Sequence, residues 1–221
     1  MNTKILITLL LITFFTSFGQ NFEGAITYKI QMINPYPNQI SDSIWQIKQR
    51  EYYGKDGFLL QKYFYKDNKY KSEIATDDLK LYEVFNPKDG LIYSWTSKSD
   101  SLITKKSKYF YDEFFEMFDT NETQTIMNIV CKSFILKSRF QKITIWYNSD
   151  YFKVDPKLYK SHLYNHLSQI FQKIKCLPIR IEKYGEMGRL VQTIIKFDEN
   201  NISDDEFKIP NFENIVESKE N

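Results

Sequence analysis

Glycine is scarce in this chain, with seven in 221 residues. So few cannot furnish a glycine-rich phosphate loop, which excludes the common nucleotide-binding signatures. Histidine and cysteine are scarcer, two of each. A Ser/His/Asp triad would have to borrow His162 or His166, and no serine lies in the Gly-flanked elbow of the hydrolases. Arginine is nearly absent: of 30 basic residues only Arg50, Arg139, Arg180 and Arg189 are not lysine. The net charge is only +2, so there is no polycationic surface and no nucleic-acid partner is expected. Long hydrophobic runs are also missing beyond the first twenty residues, so no transmembrane anchor is expected in the rest of the chain.

What is present begins at the N-terminus. Lys4 is followed by the apolar run Ile5–Phe15 and the small, polar stretch Thr16-Ser17-Phe18-Gly19-Gln20. The run is about half of the ~20 residues needed to span a bilayer, so residues 1–20 are predicted to be a cleaved signal peptide, cut after Gly19 or Gln20. No cysteine lies near that junction, so an acyl anchor is not expected. The mature chain, 21–221, has the length of one domain with a sizeable core, ending in an acidic tail after about residue 211. The expected destination is the periplasm or the exterior. In such a compartment Cys131 and Cys176 are candidates for one disulfide, which would add ~4 kcal/mol in the chain-entropy model.

The mature chain opens on an alternating segment, residues 22–33, that predicts a half-buried strand. Asn34-Pro-Tyr-Pro-Asn38 breaks it, and residues 43–53 read as a second extended segment. A meander follows: strands over 58–66, 69–76, 79–85, 91–97 and 101–106. It is punctuated by Asp67-Asn68, Asp77-Asp78, Asn86-Pro-Lys-Asp-Gly90 and Lys98-Ser-Asp100. In 109–118, Phe110, Phe114, Phe115 and Phe118 fall at helical spacing and predict a short amphipathic helix. Strands resume over 125–136 and 142–147. Asp155-Pro156 then predicts the start of a second helix carrying Tyr159, Leu163, Leu167, Ile170 and Ile174 on one stripe. A hairpin, 179–184 and 189–197, closes the pattern. The fold class is therefore mainly β (α+β): a curved antiparallel sheet, or half-barrel meander, with two short covering helices.

Three constellations bear on chemistry. His162 and His166 stand four apart, which on a helix puts both imidazoles on one face, the geometry of a two-histidine metal clamp. A metalloprotease would need Glu beside the first histidine, but Leu163 is there. The acidic clusters Asp77-Asp78 and Asp204-Asp205-Glu206 read as a turn and a solvated loop. The aromatic stripes are the third: Tyr28, Tyr63, Tyr65, Tyr82, Tyr93 and Trp95 alternate along the predicted strands. If the sheet curls without closing, its concave face becomes an apolar groove suited to an acyl chain or apolar peptide.

Several segments resemble the exported envelope proteins of the GLPGLI family. The opening Phe22-Glu-Gly-Ala-Ile-Thr-Tyr28, then Ile129-Val-Cys-Lys132, Thr144-Ile-Trp-Tyr147, Cys176-Leu-Pro178 with Ile179-Arg-Ile-Glu182, and Phe207-Lys-Ile-Pro210 follow that family's order. Cys176 stands where the family usually has Gly, and the second Gly of the namesake motif is missing. The resemblance implies a curved antiparallel sheet similar to the LolA-like lipoprotein carriers and supplies no catalytic residue or cofactor. The expected function is an exported, soluble, non-enzymatic protein that binds an apolar ligand (a lipid, an acyl chain or a lipoprotein-like partner). A structural interaction module of the envelope and a His-dependent hydrolase are the rivals.

Overall fold

The computed structural model describes residues 21–185 and 188–218. The predicted signal peptide lies outside the described residues. Twelve strands form one open sheet: β1 (Gly24–Ile33), β2 (Leu59–Lys66), β3 (Lys69–Ala75), β4 (Lys80–Asn86), β5 (Leu91–Thr96), β6 (Ser101–Lys106), β7 (Phe114–Ile126), β8 (Ile129–Ser138), β9 (Lys142–Tyr147), β10 (Arg180–Gly185), β11 (Gly188–Asp198) and β12 (Asn214–Glu217). Among the described residues two α-helices accompany it, α1 (Asp42–Tyr53) and α2 (Leu167–Ile174). No helix among the described residues is long and apolar enough to cross a membrane.

The strand order is β12-β6-β5-β4-β3-β2-β1-β11-β10-β9-β8-β7. Two antiparallel meanders, β2–β6 and β7–β11, are joined through β1, which pairs with β2 on one side and β11 on the other. The two-residue turn at Asp67-Asn68 sets Tyr65 opposite Tyr70, and the tight turn at Asp77-Asp78 sets Ile74 opposite Leu81. A bulge skips Ile195 between the pairs Thr27–Lys196 and Tyr28–Ile194, so Tyr28 keeps its place on the inner face. At the head of β1, Gly24 has φ +154°, and a Cβ there would lie 2.2 Å from the Asp198 carbonyl oxygen. Only glycine fits that approach.

Most of the core lies between one face of this sheet and the segment 152–179. Tyr159, Phe171, Ile174, Leu177 and Ile179 of that segment are fully buried against Ile26, Tyr28, Phe134 and Ile145 of the sheet. The opposite face carries smaller clusters. One of them packs Val84, Trp95 and Leu102 under Ile209 and Phe212 of the C-terminal segment.

Four elements differ from the sequence reading. Residues 42–53 are helical, not extended. Ser41 Oγ caps the first turn by accepting from Ile44 N at 3.4 Å, Asp42 and Arg50 oppose the helix dipole, and Gly54 at φ +83° ends it. Residues 109–118 form no helix: a loop leads into β7, where Phe114 pairs with Ser138 and Phe118 with Ile135. The strand expected over 125–136 is split by a hairpin turn at Met127-Asn128, both at positive φ. The long helix expected after Asp155 is broken into a 3-10 turn at Pro156–Tyr159, another at Tyr164–His166, and the eight residues of α2. Left-handed Asn165 and His166 interrupt it.

Candidate functional site

The pairing register decides which side chains share a face. From β1 outward, Tyr28 stands opposite Gln61, Gln61 opposite Ile74, and Ile74 opposite Leu81. The row beside it runs Ile26, Tyr63, Ser72, Glu83, Ser94 and Ile103. On the other side of β1, Ile30 meets Gln192 and Gln192 meets Ile181, while Leu190 meets Lys183 and Lys183 meets Ile143. Most of these side chains, with the segment carrying Asn165, Leu167, Ile170, Phe171 and Pro178, line a cavity of about 540 Å³ that opens to solvent near Leu81 and Ile103. That size suits a small ligand.

Its walls are mostly ring and aliphatic carbon, and its polar groups are largely tied to one another. Tyr28 donates its hydroxyl proton to the Pro178 carbonyl at 2.8 Å, holding the covering segment to β1. Gln61 Nε2 donates to Tyr63 Oη at 2.9 Å, and Gln192 Nε2 donates to Gln61 Oε1 at 3.1 Å. On β6, Lys105 Nζ lies 3.2 Å from Glu83 Oε2 and donates to Tyr164 Oη at 2.9 Å. Burial raises the hydroxyl pKa of Tyr28, Tyr63, Tyr65 and Tyr70, so these groups stay neutral and act as hydrogen-bonding tips on apolar rings. Burial lowers the Lys183 pKa.

Of the six aromatic residues expected to line a groove, five border the cavity, three of them with inward side chains. Tyr28, Tyr63 and Tyr65 face the cavity. Tyr82 and Trp95 border it through their strands, but their side chains belong to the opposite face. Tyr82 stacks on Trp95 at 5.2 Å between centroids, and Trp95 packs against Phe212 at 6.0 Å. Tyr93 lies on that outer face too and donates its hydroxyl proton to Asp89 Oδ2 at 2.8 Å. The sequence reading omits Tyr70, Ser72, Ile74, Gln61 and Lys183. The signal that finds them is the parity of positions counted across each short turn.

The histidines form no clamp. Because the chain is not α-helical from 160 to 166, their ring nitrogens part company. His162 Nε2 lies 3.1 Å from the Tyr70 hydroxyl, and His166 Nε2 lies 3.4 Å from Asp112 Oδ2. Among the described residues, no group of three or more His, Cys, Asp or Glu side chains is placed to hold a metal. The His166–Asp112 pair has the composition of a catalytic dyad but is sealed, with side-chain exposures of 2% and 1%. Asp112 also accepts from Ser138 Oγ at 2.7 Å and Phe140 N at 3.0 Å, which lower its pKa against the effect of burial. The expected disulfide is not formed: Cys131 and Cys176 are both buried, free thiols, and burial pushes Cys176 up to about 12.

No family model and no curated protein matches the chain. Among solved structures, an uncharacterised conserved protein from Thermus thermophilus is similar over 96% of this chain and 99% of its own, with a TM-score of 0.53 and 9% identity. PNGF-II, in two crystal forms, is similar over 89% of this chain at 14% and 15% identity, each with a TM-score of 0.48. This chain spans about a third of PNGF-II's length, 31%. The Thermus protein shares the fold; at that identity the likeness extends no further.

Proposed function

We propose that this is an exported, soluble, non-enzymatic binding protein of the cell envelope, a curved half-barrel that holds an apolar ligand such as a lipid or acyl chain. The observation that carries the reading is the cavity itself: about 540 Å³ between the sheet and residues 165–178, with tyrosine rings and aliphatic side chains on its walls. A closed core of this size would be filled. The segment order shared with GLPGLI-like proteins and the export-type N-terminus favour the same reading. The test is mass spectrometry on protein purified from its native envelope, before and after solvent extraction. A stoichiometric lipid or acylated molecule is the expected result; protein that is ligand-free when freshly isolated counts against a carrier.

One observation favours a second reading, an interaction module. Helix α1 turns Ile44, Ile47 and Tyr52 outward, 52%, 59% and 78% exposed. Cross-linking from α1 to a neighbouring envelope protein, with an empty cavity, would select it.

A further inference from the structure

Lys183 sits on the inner face of the sheet between two aliphatic partners, Ile143 on β9 and Leu190 on β11. It lines the cavity, and among the described residues its ammonium has no hydrogen-bond or ion-pair partner. An unpaired cation set in an apolar wall is unfavourable unless something supplies the opposite charge. The protein does not supply it. The carboxylate that acts on Lys183, Asp112, lies beyond ion-pairing distance and is already engaged by Ser138, Phe140 and His166. Glu83, a carboxylate on the far wall, is already paired with Lys105 beside the cavity. The site is thus apolar along most of its length, with one uncompensated positive charge on the β10 side.

We infer that the occupant is a single-chain amphiphile with an anionic head, and that Lys183 is the residue that holds the head while the chain lies along Tyr28, Tyr63 and Ile74. This rests on the cavity being a ligand site, and it adds the chemical class. The head chemistry is shared by a carboxylate, as in a free fatty acid, and a phosphate, as in a lysolipid. A cationic or uncharged head would leave the Lys183 charge unmatched.

The test compares three probes of one chain length, dodecanoate, dodecyl phosphate and 1-dodecanol, by titration calorimetry on the mature chain. A charge-assisted hydrogen bond in a desolvated site predicts that the better anion binds at least ~10-fold more tightly than the alcohol. In Lys183→Met that preference disappears while 1-dodecanol binds as well or better; Lys183→Arg keeps the preference. Methionine matches the lysine stem, and a thermal melt of each variant verifies the fold. Which anion binds more tightly identifies the head. Equal affinity for alcohol and anions in the natural chain, or a preference that survives Lys183→Met, overturns the inference but leaves the ligand site standing. Failure of all three probes to bind overturns both.

Discussion

His162 makes the fold acid-sensitive, and the size of the effect follows from its surroundings. The ring is wholly buried, edge-on to Phe85 at 4.4 Å, and its Nε2 faces the Tyr70 hydroxyl. Burial, with a smaller contribution from nearby Lys105, lowers its pKa from 6.5 to about 4. A histidine whose folded pKa is depressed binds its proton more readily when unfolded. Stability is therefore highest above pH 6.5, falls as the pH drops from there, and the loss is complete below about pH 4. The linkage amounts to roughly 2 kcal/mol by pH 5 and ~3 kcal/mol at the limit. Burial lowers the His166 pKa as well, against the pull of Asp112, so its contribution has the same sign. Asp112, whose own pKa is depressed, adds acid loss only at lower pH. Urea denaturation at pH 7.5 and pH 5 measures the difference, and His162→Leu, which cannot titrate, should remove about 2 kcal/mol of it. If the natural chain and His162→Leu lose equal stability over that interval, the buried neutral histidine is not the cause.

Ile74→Trp projects a ring into the cavity and should abolish binding of a fluorescent fatty-acid probe while the protein stays folded. Trp95→Ala, on the outer face, should keep probe affinity and cost about 3–5 kcal/mol in a denaturant titration, because it empties the packing under Phe212. Gly24→Ala must move the Asp198 carbonyl or the strand itself, and a loss of about 1–3 kcal/mol or more should appear as a lower melting temperature. Since Cys131 and Cys176 are free, dithiothreitol should leave the melting temperature unchanged; a fall of several degrees would mean that a bridge exists.

The β-strands of the meander were legible because each is short, alternating and closed by a strong turn such as Asn86-Pro-Lys-Asp-Gly90. What failed was reading which way their side chains point. Tyr63 and Tyr65 face inward, yet Tyr82, Tyr93 and Trp95, equally aromatic and equally alternating, face outward. Alternation has no sign within a strand; only the turn length between strands carries it. The helix-like spacing of Phe110, Phe114 and Phe118 misled for a related reason. A bulge at Phe115 lets Phe114 and Met117 pack on the core from one strand while Phe118 turns outward, and β8 was there to pair with them. In 42–53 the Ser41 cap and Gly54 are local helix signals that outweigh the extended reading around Trp45, whose indole N–H in fact donates to the Met32 carbonyl at 3.0 Å. Met127-Asn128 hid a turn because methionine seldom takes positive φ. Lys183 was invisible as a site residue, since a single lysine among 26 means nothing until its neighbours are known.

The place of β1 has a consequence for how the molecule comes into being. One flank of β1 can zip to β2 almost at once, across the short intervening segment 34–58. The other waits for β11, whose pairing joins Ala25 to Asp198. A chain made from its N-terminus therefore carries an unpaired, apolar strand edge through most of its synthesis, the kind of surface that invites wrong partners. Completion of the sheet is a late, long-range event, and such closures are slow. The interval during which the chain stays open is set by topology, and a holding chaperone that recognises extended apolar segments would find its target at residues 24–33.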